Sequence, residues 1–220
     1  AAAGVVWGGF AAAKQKDLKY LNAYSSVSHC GLVFLGLAFL NAVGLRGAVM
    51  QMLAHGFITA AVFCLIGMIY SRTHTRLIPE MSGLMARMPF LAVCFVIAGF
   101  AALGLPGLAG FAAELNIFLG GFSVGTPLAA GCSALAVLSI VVTAIYVLRA
   151  TNGILHGPFK SHQSHHEGHA GQADLSDATW FEKIPLLLLL ACILAMGLFP
   201  GRLAGILDDA LLPILNNLNR

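Results

Sequence analysis

Residues 88–122 read MPFLAVCFVIAGFAALGLPGLAGFAAELNIFLGGF. The stretch is apolar except for Glu114, the only formally charged residue between Arg87 and Arg149. A helix rises about 1.5 Å per residue, so the stretch would make a rod of about 52 Å. The hydrocarbon core of a bilayer is only about 30 Å thick. The run Gly104-Leu-Pro-Gly-Leu-Ala-Gly110 accounts for the excess: the stretch is expected to be two half-helices joined by a bend, with Gly104, Pro106 and Gly107 as the break. A carboxylate in hydrocarbon costs at least about 2.5–3.5 kcal/mol. Broken helix at membrane depth survives only where protein or a water-filled cavity surrounds it. Together, the break and Glu114 predict a wet, protonatable site inside a membrane protein.

Composition agrees. The chain is 59% hydrophobic and 10% charged, with a mean hydropathy of +0.86. A soluble domain carries about 25% charged residues. The net charge of +3 is small, and no basic stripe interleaved with aromatics suggests nucleic acid. The chain opens Ala-Ala-Ala-Gly without a signal-peptide pattern, and is expected to start inside a helix of a longer protein. Cys30, Cys64, Cys94, Cys132 and Cys192 stand far apart in apolar sequence and read as packing thiols. No nucleotide, zinc or redox-cofactor motif is visible, so no metal or cofactor is expected in this chain.

Working outward from residues 88–122, apolar segments fall at 1–13, 20–41, 47–70, 127–148 and 184–200, making six in all. The expected fold is an all-α integral membrane bundle, one transmembrane domain over 1–220. The loops at 14–19, 71–87 and 149–183 hold nine of the twelve Lys and Arg residues, and the opposite side holds Arg46, Arg202 and Arg220. The positive-inside rule therefore puts the basic loops in the cytoplasm. The stretch 150–183 is a hydrophilic, His-rich loop carrying His156, His162, His165, His166, His169 and Glu167. It reads as a solvated loop rather than a metal site, because no Cys or fixed scaffold accompanies the histidines.

His29 stands about ten residues into one span and His55 about nine into the next from the other side, so both reach about 15 Å deep. With Glu114 they could form a lateral row at mid-membrane. Imidazole titrates near about 6.5, which suits proton exchange. Tyr24, Ser25, Ser26 and Ser28 place hydroxyls beside His29, while Thr59 and Asn116 add polar atoms near His55 and Glu114. Lys14, Lys16 and Lys19 read as membrane-surface anchors, Lys19 also standing as a supporting polar group at the start of its span. A lone histidine in a membrane helix equally serves as a hydrogen bond between helices. The three titratable groups together point to proton movement.

The same residues fall in recognisable words. Asp17-Leu-Lys-Tyr-Leu-Asn-Ala-Tyr-Ser-Ser-Val-Ser-His-Cys-Gly31 resembles a signature of the antiporter-like proton-pumping subunits of respiratory complex I. Met52-Leu-Ala-His-Gly56, Arg72-Thr-His-Thr-Arg76, Gly104-Leu-Pro-Gly107, Gly110-Phe-Ala-Ala-Glu114 and Gly197-Leu-Phe-Pro200 resemble its later signatures. The L- and N-type subunits, and a subunit of multisubunit sodium/proton antiporters, usually carry a lysine soon after the equivalent of His55. Gly56-Phe-Ile-Thr-Ala-Ala-Val-Phe63 has none, which resembles the M-type. Tyr20 stands where arginine is common, and Ala112-Ala113 where Val-Gly is usual.

The resemblance implies the C-terminal part of a fold of about fourteen spans, with His29, His55 and Glu114 as proton-relay residues and Glu114 near an outlet. It implies L-, N- and K-type neighbours in a bacterial inner membrane. NADH, FMN, iron–sulfur clusters and quinone are expected in those partner subunits. Two alternatives remain: a sodium/proton antiporter or membrane-bound hydrogenase subunit, and a scaffold that transports nothing.

Overall fold

A computed structural model describes residues 1–160 and 176–218, which are helical apart from turns and isolated bridges. The helices run α1 (Ala2–Lys14), α2 (Leu18–Ala38), α3 (Ala42–Thr73), α4 (Leu84–Arg87), α5 (Pro89–Ala102), α6 (Ala109–Ser123), α7 (Pro127–Leu155), α8 (Trp180–Leu198) and α9 (Pro200–Leu218). Polar residues mark several starts. Asp17 accepts from the Lys19 and Tyr20 amides, and Asn41 from the Gly44 amide. Thr126 accepts from the Ala129 amide ahead of α7, whose first residue is Pro127. Each such cap satisfies a donor that the first helical turn cannot.

The long apolar stretch divides as its length requires. α5 ends at Ala102 and α6 begins at Ala109. Gly104 and Gly107 turn the chain with φ of +73° and +89°, a left-handed region that other residues enter at a cost. The break is narrower than Gly104–Gly110, because Gly110 is already in α6. A Cβ on Gly110 would lie 2.6 Å from the Ala101 carbonyl oxygen, so this helical position stays bare where the half-helices cross.

By length and composition α3, α7 and α8 can each cross a membrane, and α5 is a shorter apolar helix. The outward surface is apolar too: Trp7, Phe34, Leu128, Trp180 and Phe181 are exposed. Such a surface belongs in lipid, and the chain is an integral membrane protein. Lipid gives helices no hydrophobic reason to associate, so close backbone packing takes over. A Cβ on Gly36 would meet the Gly44 carbonyl at 2.8 Å, and one on Gly47 the Ile117 amide at 2.6 Å. α2, α3 and α6 thus meet along a glycine seam.

At the basic-loop end, polar contacts lock the helices. Arg72 binds Glu182 through both Nη atoms, at 3.1 and 2.7 Å, and also donates to the Ser176 and Asp177 carbonyls. The Asp177 carboxylate accepts from the Phe90 and Leu91 amides at the start of α5. Thr179 and Glu182 form a capping box on α8. At the other end Arg46 pairs with Asp208 of α9 at 2.7 Å.

His162, His165, His166, Glu167 and His169 lie outside the described residues. His156 caps α7, which carries the helix five residues past Ala150. Among the described residues the five cysteines are free, and no cluster of His, Cys, Asp or Glu could hold a metal ion.

Candidate functional site

His29 projects from the middle of α2 and His55 from the middle of α3, and their side chains touch. The two Nδ1 atoms are 3.1 Å apart, with ring centroids at 5.1 Å and planes at 83°. One ring must donate and the other accept, so at least one imidazole is neutral while the bond exists. The Thr59 hydroxyl, one turn along α3, lies 3.2 Å from each ring nitrogen of His55. His29 also faces the backbone carbonyl of Ala102 at the end of α5. Breaking a helix frees its last carbonyls, and the Ala102 carbonyl is one of them.

Glu114 lies in the second turn of α6 and is buried. Gly104 sits directly beside its carboxyl: a Cβ there would be 2.6 Å from Glu114 Oε2. Among the described residues no cation forms an ion pair with it. Its side chain borders a cavity of about 10 Å³ shared with Ser28, His29, Ser139 and Thr143. That is about the least space that holds one water. His55, His29, the small cavity and Glu114 therefore form a contiguous row across α3, α2 and α6.

The supporting residues divide. Thr59 touches His55, and Ser28 lines the small cavity while donating to the Val5 carbonyl at 2.8 Å. Ser25 sits one turn before His29 and shares a 2.8 Å hydrogen bond with the Tyr146 hydroxyl. Tyr24 and Lys19 are exposed, away from the row. Asn116 is two residues past Glu114, nearly on the opposite face of α6. Its amide donates to the Ala112 carbonyl, and its Cβ packs toward Gly47 of α3.

Reading the sequence alone misses the polar face of α7. Ser139, Thr143 and Tyr146 are buried on it, and Tyr146 also donates to Thr143 Oγ1 at 3.5 Å. Their spacing of four and three residues was the available signal, since it puts three hydroxyls on one helical face. Asn22, Gln51 and Thr151 are further buried polar side chains, each with an atom lacking a hydrogen-bond partner among the described residues.

The arrangement brings groups that can exchange protons into one contiguous row. The model of a family described as "NADH:quinone oxidoreductase/Mrp antiporter, TM" matches residues 1–143. A protein of Synechococcus elongatus named NAD(P)H-quinone oxidoreductase chain 4 1 is 39% identical over 212 residues, which are 93% of this chain and 37% of that relative. Among solved structures, a chain of respiratory complex I from Thermus thermophilus with bound NADH is 33% identical with a TM-score of 0.80, the match covering 97% of this chain and 43% of that one. A chain of the Mrp complex from Dietzia sp. has a TM-score of 0.83 at 24% identity, over 95% of this chain and 45% of that one, a likeness of fold. The chain thus spans less than half the length of these relatives.

Proposed function

The chain belongs to the NADH:quinone oxidoreductase/Mrp antiporter transmembrane family, and on that premise we propose that it is part of a proton-translocating, M-type membrane subunit of an NADH:quinone oxidoreductase. The observation that carries this reading is the row His55–His29–cavity–Glu114. An imidazolium donor passes its Nδ1 proton to the lone pair on the facing Nδ1 and is left neutral, as the new acceptor. His29 then gives a proton to a water held in the small cavity, and that water passes one on to the Glu114 carboxylate. The break at Gly104 keeps that carboxyl beside bare backbone rather than against a side chain.

The six apolar segments are six spans in this proposal, and the basic loops face the cytoplasm of a bacterium with the subunit in its inner membrane. NADH oxidation, FMN, iron–sulfur and quinone chemistry take place in partner subunits, with L-, N- and K-type membrane subunits as neighbours. This chain is a translocase component without a redox site of its own. The Mrp likeness favours a second reading, a sodium/proton antiporter module. Inverted native vesicles separate the two. NADH should drive proton uptake at the same rate with and without sodium, whereas strict sodium dependence contradicts the proposal in favour of the antiporter.

A further inference from the structure

A second cavity, of about 40 Å³, lies between α2, α3, α5 and α7 in the half of the bundle nearer the basic loops. By volume it holds about three waters. Its walls are largely apolar, but Asn22, Ser25, Tyr146 and Thr151 also line it. Asn22 and Thr151 are 8% and 7% exposed. Asn22 Nδ2 and Thr151 Oγ1 have no hydrogen-bond partner among the described residues. A buried polar group without a partner costs about 1–3 kcal/mol, and two facing one cavity are the setting in which water is held. Tyr146 is 1% exposed, and its hydroxyl joins this cavity to the small one: it bonds Ser25 at 2.8 Å and Thr143 at 3.5 Å, and Thr143 lines the cavity of His29 and Glu114.

We propose that the larger cavity is a water-holding proton chamber that supplies the row from the basic-loop side, and that the Tyr146 hydroxyl is the link between the two cavities. The inference rests on the proton-relay reading above. It adds a branch toward the basic loops to a half of the bundle whose glutamate the family resemblance assigns to an outlet. Each passage moves one excess proton and leaves the hydroxyls neutral. A hydronium in the chamber gives a proton to the Tyr146 oxygen, reverting to water, as Tyr146 gives its own to Thr143 Oγ1. Thr143 passes its former proton to a water beside Glu114. Rotation of the two hydroxyls restores the start. Tyr146 touches the reacting waters and needs no charged form of its own at rest.

The test uses the intact complex in native vesicles, with variants Tyr146→Phe, Thr151→Val and Glu114→Gln. Tyr146→Phe keeps the ring and its packing while removing the hydroxyl. Its coupled proton uptake is expected to fall about a hundredfold, the low end for losing a proton-transfer group, with assembly unchanged. The residual rate should show a larger H₂O/D₂O ratio than wild type, which a packing defect would not produce. Thr151→Val, nearly isosteric, should slow uptake in the same direction and guards against poor assembly of Tyr146→Phe. Wild-type uptake and isotope ratio in both, with Glu114→Gln inactive, overturn the chamber and leave the relay standing. Wild-type uptake in Glu114→Gln removes the relay itself.

Discussion

His29 Nδ1 and His55 Nδ1 face each other at 3.1 Å across the α2–α3 contact, the two rings nearly perpendicular. A hydrogen bond there needs one N–H and one lone pair. In the chain labelled with ¹⁵N-histidine within the assembled complex, one Nδ1 should give the chemical shift of a donor and the other that of an acceptor. Two protonated Nδ1 atoms in the resting protein would contradict the contact. His55→Ala removes the partner of His29 and of Thr59 together and should lower coupled turnover on the order of a hundredfold, as for other proton-transfer groups.

Gly104 and Gly107 make a matched pair. Both have positive φ, so alanine at either should cost about 1–2 kcal/mol in backbone strain. A Cβ at Gly107 meets nothing within 4 Å, whereas one at Gly104 meets the Glu114 carboxyl. Comparable losses of thermal stability are expected in the two variants, with turnover impaired much further in Gly104→Ala. Equal turnover in both would mean that the position of the carboxyl does not matter.

α8 rests on the broken helix through Gly197, where a Cβ would overlap the Gly107 carbonyl and Leu108 Cα. Gly197→Val should displace α8 and destabilise the chain by about 1–3 kcal/mol or more, the usual range for overpacking. Native gels of the complex should show reduced assembly. Gly201→Ala, at a site with open space, serves as the tolerated control.

Arg72 holds residues 176–182 through two carbonyls and a forked bond to Glu182. The pair is partly buried, with side-chain exposures of 12% and 30%. Lysine cannot reproduce the fork. Arg72→Ala should cost about 1–3 kcal/mol, and Arg72→Lys should recover only part of it. Thermal unfolding of the detergent-solubilised complex measures both. A complete rescue by lysine would show that charge alone is what counts.

Some of this was legible in the sequence for physical reasons. Residues 88–122 are too long for one span, so the break had to fall at their only Gly-Pro-Gly cluster. Counting residues in from opposite ends of two successive spans placed His29 and His55 near one depth. The direct bond between them was not legible, because it depends on how closely α2 and α3 approach along the Gly36–Gly44 seam. Asn116 looked close to Glu114 in sequence, but two residues along a helix turn it to the other face. Tyr146 was lost in an apolar segment, although its spacing from Ser139 and Thr143 marked a buried polar face.

The row ends at Glu114, and its replacement by Gln removes one titratable proton while keeping size and shape. The most direct measurement is the number of protons taken up per NADH oxidised by inverted vesicles containing fully assembled Glu114→Gln complex. A ratio clearly below wild type, or coupled turnover reduced on the order of a hundredfold, is the expected result. A wild-type ratio at wild-type turnover would contradict a relay through His55, His29 and Glu114.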